Sequence, residues 1–225
     1  MARPLFQQAK HAWWIRMPDH RRERGRRNRL ALLEAALELF ASAGFETTTV
    51  EQIADRARVA PRTFFHHFPS KEDVLFDGYA ERLDEVSRRF RSSGSVRSLW
   101  EAMFDVAAAV AESIVVDPYR YLERARLYDE APVLRARMLL INEEWIDNMT
   151  SEIARHLGLE QFTDPRPRLA ATLLNGANRV AIEVWSASGG RADLSKLMAE
   201  SLALLRPTID RIERSAAVSG GRRAS

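Results

Sequence analysis

Two adjacent histidines, His66 and His67, sit in the short stretch "PRTFFHHFPSK", and imidazoles can bind metal ions, shuttle protons or meet phosphates. Adjacent positions on a helix point about 100° apart, so the two rings diverge rather than converge on one ion. A proton shuttle needs a cleft and a carboxylate partner, and nothing local offers one. His11, His20 and His156 have no serine or carboxylate at a catalytic spacing, and the adjacent Glu143 and Glu144 diverge in the same way. The absence of cysteine removes thiolate nucleophiles, disulfide frameworks and cysteine zinc sites together. The expectation is a chain that is not an enzyme and takes no metal or cofactor. Charge is the remaining signal. Residues 16–29, "RMPDHRRERGRRNR", hold seven arginines against Asp19 and Glu23, in a chain whose net charge is only +3. Such a run either hangs in solvent as a frayed terminus or engages nucleic-acid phosphates, and Arg26 and Arg27 are its expected DNA contacts.

The elements that must position these residues are helical throughout. A chain of 225 residues, 46% apolar and 29% charged, buries a core of its own and forms one or two domains. No apolar run is long enough for a secretory signal or a membrane span, so a cytosolic setting without membrane contact is expected. Leu30, Leu33, Leu37 and Phe40 recur on one helical face, and Gly44 supplies a stop. Thr49 followed by Gln52 is a capping-box pattern opening a second, short helix with Val50, Ile53, Ala54 and Ala57 facing inward. Pro61 suits the first position of a third helix, and Ser70 with Asp73 restarts a fourth that runs to about Phe90. Two short helices around a three-residue turn, flanked by longer ones, are the layout of a helix-turn-helix reader. In that layout Phe64 and Phe68 point into a small core and His67 faces DNA.

Residues 30–79, including "LLEAALELFASAGFETTTVEQIADRARVAPRTFFHHFPSKEDVLFDGY", resemble the DNA-binding domain of the TetR family of bacterial repressors. The resemblance implies that Thr49 binds a phosphate through its hydroxyl or backbone N–H. It places Ala60, Pro61, Arg62, Thr63, Phe65 and His67 where the family's recognition helix touches DNA, and Lys71 where a lysine holds a phosphate. Arg58 stands where the family has a turn glycine, and Phe65 where tyrosine is common. Arg62 has the donor fork to read guanine, with a phosphate contact as the alternative.

The rest of the chain reads as a second helical domain, with "DPYRYLERARLYDEAPVLRARMLLINEEW" and "DPRPRLAATLLNGANRVAIEVW" similar to the mycofactocin-regulator type of ligand domain, whose members are associated with acyl-CoA-like ligands. Trp100, Met103, Phe104, Ala107, Tyr121, Met138, Ile141, Trp145, Asn175 and Asn178 are the expected pocket residues, each apolar one having ordinary core packing as its alternative and the two asparagines having hydrogen bonds across a dimer interface as theirs. Small residues Ala170, Ala171, Gly176, Ala177 and Ala181 would allow close helix approach in a dimer.

The expected fold is therefore all-α. A flexible basic arm (1–25) precedes a three-helix helix-turn-helix domain (26–70), a helical ligand-binding and dimerisation domain (71–214) and a disordered tail (215–225). The expected function is a repressor that binds a palindromic operator in double-stranded DNA as a homodimer and is released by a small apolar effector. The rival reading is an all-helical carrier of acyl chains or lipids with no regulatory role.

Overall fold

The computed structural model describes residues 20–92 and 97–221. Residues 1–19, most of the expected arm, and 222–225 lie outside them. The described residues form ten α-helices and no strand: α1 (His20–Ala43), α2 (Val50–Arg56), α3 (Pro61–His67), α4 (Tyr79–Ser92), α5 (Leu99–Val115), α6 (Pro118–Glu130), α7 (Pro132–Leu157), α8 (Pro165–Ala187), α9 (Leu194–Ala203) and α10 (Arg206–Gly221). None is long and apolar enough to cross a membrane. The chain divides into two compact units, Met1–Leu75 and Phe76–Ser225. The first extends past the expected boundary at residue 70 because Lys71 is tied back to the loop between α1 and α2.

In the first unit the arginine-rich run is not frayed at its end. Residues 20–29 are the opening turns of α1, since arginine is a good helix former and one glycine costs a long helix only about 1 kcal/mol. The buried face of α1 comprises Leu32, Leu33, Ala35, Ala36 and Phe40, whereas Leu30 is largely exposed and Leu37 only half-buried. Ile53, Ala54, Phe64, Phe68 and Phe45 complete the core. The capping box of α2 forms in both directions: Gln52 N–H donates to Thr49 Oγ1 at 3.2 Å, and Thr49 N–H donates to Gln52 Oε1 at 2.8 Å. Ala57 to Ala60 then turn the chain into α3, with Pro61 at its first position.

Arg58 carries that turn at φ +56°, the one non-glycine residue with positive φ among those described. The left-handed region costs a residue with a Cβ about 1–2 kcal/mol, while glycine there loses more backbone entropy on folding. Arg58→Gly is therefore expected to stabilise this unit by about 0.5–1 kcal/mol, read as a higher denaturant midpoint. An unchanged or lowered midpoint would show that the arginine side chain offsets the strain.

The expected helix from Ser70 to Phe90 is divided. Ser70 and Asp73 do pair, Oγ to Oδ2 at 2.8 Å, but Glu72–Val74 is a single 3-10 turn, and Gly78 at φ +75° separates it from α4.

The second unit is built from α4–α10 around Leu99, Met103, Val106, Met149, Ile153, Leu174, Trp185, Met198 and Leu202. Pro118, Pro132 and Pro165 each open a helix, where the missing N–H has no partner to lose. Gly158 closes α7 at φ +63°, and Leu159 N–H reaches back to Ala154 O at 2.9 Å, a left-handed cap that a side chain would strain. Pro207 is the second residue of α10 and marks the break after α9. The tail expected to be disordered from 215 is helical through Gly221, because Ala216 continues the buried face of α10 that begins with Ile209 and Ile212. Ala170, Ala171, Ala177 and Ala181, expected at a dimer interface, are buried within the protomer; the exposed apolar stripe of α8 is Leu169, Val180 and Val184.

Candidate nucleic-acid interface and ligand cavity

α3 presents a mixed surface. Ala60, Pro61, Arg62, Phe65 and His66 are exposed, Thr63 and His67 half-buried, and Phe64 alone is fully inside. Phe65 is 57% exposed, edge-on to Phe64 at 5.5 Å. An exposed apolar ring on a two-turn helix suits contact with a thymine methyl group rather than a hydrogen bond to phosphate. Thr49, the N-cap of α2, is also exposed; its N–H is held by Gln52, which leaves the hydroxyl hydrogen as its free donor. Arg26 and Arg27 are exposed on α1, Arg26 beside Glu23 at 3.4 Å.

Lys71 departs from its expected role. Its ammonium donates to Phe45 O at 2.7 Å, Thr48 O at 3.0 Å and Glu46 O at 3.3 Å, and lies 4.3 Å from the Phe45 ring centre. An ammonium has three hydrogens, and all three are directed at backbone. Lys71 therefore holds the α1–α2 loop instead of standing free for a phosphate. Arg29, which sequence reasoning did not single out, does a similar job: Nη1 donates to His67 O at 3.4 Å and the guanidinium lies over the Phe68 ring at 4.9 Å. The signal was the run of seven arginines within residues 16–29, but nothing in it separates a staple from a phosphate contact.

The His66 and His67 rings are neighbours at 5.2 Å, tilted 70°, and among the described residues no group of three or more histidine, aspartate or glutamate side chains could hold a metal. Partial burial, then the positive neighbours His66 and Arg29, push the His67 imidazole below its ordinary 6.5. A histidine with a depressed folded-state pKa leaves the folded protein binding fewer protons than the unfolded chain, so stability is lost as pH falls through 6.5 and levels off below the folded value. His67→Gln is expected to flatten that fall in the melting temperature of the free protein. A melting profile with the same slope in both proteins would count against this assignment.

A cavity of about 700 Å³ opens in the second unit among α4–α8. Tyr121, Met138, Ile141, Trp145, Asn175 and Asn178 line it, as expected. Trp100, Met103, Phe104 and Ala107 do not. Met103 and Ala107 are in the helical core, Trp100 packs under Arg206 at 5.0 Å, and Phe104 is 41% exposed. On α5 it is Val110, Ser113 and Ile114, further along the helix, that reach the cavity.

Sequence reasoning missed Phe76, Tyr79 and Tyr128, which give the cavity much of its aromatic wall. Phe76 and Tyr128 stack almost parallel, 5° apart at 5.3 Å. Tyr79 donates its hydroxyl to Ile141 O at 2.8 Å, and burial pushes both Tyr79 and Tyr128 up to about 12. Tyr121 is raised for the same reason and meets Trp185 edge-on at 5.8 Å. The signal was available for Tyr121 and Tyr128, seven apart on one face of α6, but not for Phe76, which lies in the turn before Gly78 rather than on the helix of Tyr79.

Residues 32–77 match the family of bacterial regulatory proteins, tetR family, and residues 97–210 match the MftR C-terminal domain. The HTH-type transcriptional regulator TcmR of Streptomyces glaucescens is 32% identical over 75% of this chain and 77% of that protein. The HTH-type transcriptional repressor KstR2 of Rhodococcus jostii is 33% identical over 42% of this chain and 43% of its own length. Among solved structures, FadR of Thermus thermophilus, a TetR-family transcriptional repressor in complex with lauroyl-CoA, is 28% identical, with a TM-score of 0.53 over 79% of this chain and 92% of that one. The chain belongs to the TetR family and is a DNA-binding transcriptional regulator with a helical ligand-binding domain.

Proposed function

We propose that the protein is a repressor that binds a palindromic operator as a dimer and is released by a small, largely apolar effector taken up in the cavity of its second unit. The observation that carries the effector half is the cavity itself: about 700 Å³ lined mainly by aromatic and aliphatic side chains, with the amides Asn142, Asn175 and Asn178 and the charged Arg82, Arg126, Arg179 and Glu183 as polar anchors. The lauroyl-CoA complex of the Thermus relative supports an acyl thioester as the first ligand to try. The operator half rests on the exposed face of α3, with Ala60, Pro61, Arg62, Thr63, Phe65 and His67 as its contacts, on the Thr49 hydroxyl, and on Arg26 and Arg27 at phosphates. For dimerisation the half-exposed stripe Leu169, Val180 and Val184 on α8 and the exposed Val218 on α10 offer an apolar surface. A two-fold dimer reads half-sites one helical turn, about 34 Å, or a multiple of it apart.

A gel shift with the DNA upstream of the protein's own gene, repeated with acyl-CoAs of several chain lengths, tests both halves. Retarded DNA that is freed on adding ligand is the expected result. Ligand binding without any DNA binding would favour the carrier reading instead.

A further inference from the structure

We propose that Asn178 sets the chemistry of the effector: a hydroxyl-bearing aromatic molecule whose O–H donates to Asn178 Oδ1 while its ring lies against the aromatic wall of the cavity. This rests on the ligand-binding reading above and narrows it. Asn178 lines the cavity from α8, is only 4% exposed, and its Oδ1 receives a hydrogen bond from no protein group. Buried amide oxygens in folded proteins are almost always paired, and one left unpaired penalises the fold. A leucine would fill the same volume without that penalty, so the amide is explained by a donor that arrives with the ligand. The hydroxyl of Tyr79, which also lines the cavity, is already committed to Ile141 O. Phe76 and Tyr128, stacked on one another, line the cavity with Tyr121 and Trp145, and rings so placed suit the offset-stacked and edge-on contacts that aromatic molecules prefer. An unsubstituted acyl chain supplies neither the ring nor the donor.

Calorimetric titration of the full chain with 4-hydroxybiphenyl and 4-methoxybiphenyl tests this. The two have the same rings and the same oxygen, but only the first can donate. The phenol is expected to bind about tenfold more tightly than the ether, the size of one buried hydrogen bond. Asn178→Leu is expected to abolish that preference while keeping ether binding. The wild-type comparison stands by itself if the variant does not fold. Equal binding of phenol and ether to the wild type, or a preference that survives in Asn178→Leu, overturns the assignment. Binding of lauroyl-CoA with neither biphenyl bound overturns the ligand class but leaves effector control in place. Failure of all three to bind, with operator binding intact, overturns both this inference and the cavity's role as the effector site.

Discussion

Lys71→Ala is expected to destabilise the DNA-binding unit by about 2–3 kcal/mol, a large effect for one exposed-type residue. One hydrogen bond involving a charged group contributes about 1.5–3 kcal/mol net of the hydration it replaces, and bonds that share one donor group are not additive. Here one ammonium serves the carbonyls of Phe45, Glu46 and Thr48 and packs on the Phe45 ring. The loop so held leads directly into Thr49, the N-cap of α2, so loosening it also frees the start of the helix-turn-helix. Lys71→Met keeps the stem and loses the donors; it should cost nearly as much. Denaturant unfolding followed by helical circular dichroism reads both variants. Unchanged stability, with operator affinity lowered alike on every sequence, would return Lys71 to the phosphate-binding role that the family resemblance implies.

Arg62→Ala is expected to weaken operator binding by about 1–3 kcal/mol with no loss of stability. Arg62 is exposed on α3 and has no hydrogen bond or ion pair within the described residues, so its guanidinium is available to DNA. A bidentate contact to guanine would concentrate the loss at one half-site position. A phosphate contact would spread it evenly and lower the dependence of affinity on salt. Measuring the variant against a set of single-base operator changes separates the two, and undiminished affinity on all of them would remove Arg62 from the interface.

The helix-turn-helix was legible because its signals are local. Thr49 with Gln52 specifies a capping box, Pro61 fixes a helix start, and Phe64 and Phe68 four apart define an inner face. Arg58 was equally legible as a misfit, and its positive φ is the strain that a non-glycine residue must carry there. The failures lie where long-range packing decides. α5 is apolar on nearly every side, so periodicity could not separate the face holding Met103 and Ala107 in the core from Val110 and Ile114 at the cavity. The alanines of α8 looked suited to a subunit interface, yet small residues serve close approach within a protomer equally well, and Ala170, Ala171, Ala177 and Ala181 are spent there. For Lys71, sequence specifies a cation but not whether it faces a phosphate or a turn of backbone carbonyls. At the tail, Gly220 and Gly221 suggest disorder, whereas Ala216 has a buried place to occupy and α10 continues through Gly221.

On the proposed function, ligand and operator oppose one another through one protein. The most direct test is reciprocal titration: the affinity of operator DNA measured with and without saturating ligand, and the affinity of that ligand measured with and without operator. Each is expected to weaken the other by the same factor; a hundredfold effect corresponds to about 2.7 kcal/mol of coupling. If the ligand binds equally well to the free protein and to its DNA complex, the cavity is a binding site but not a switch, and the claim is contradicted.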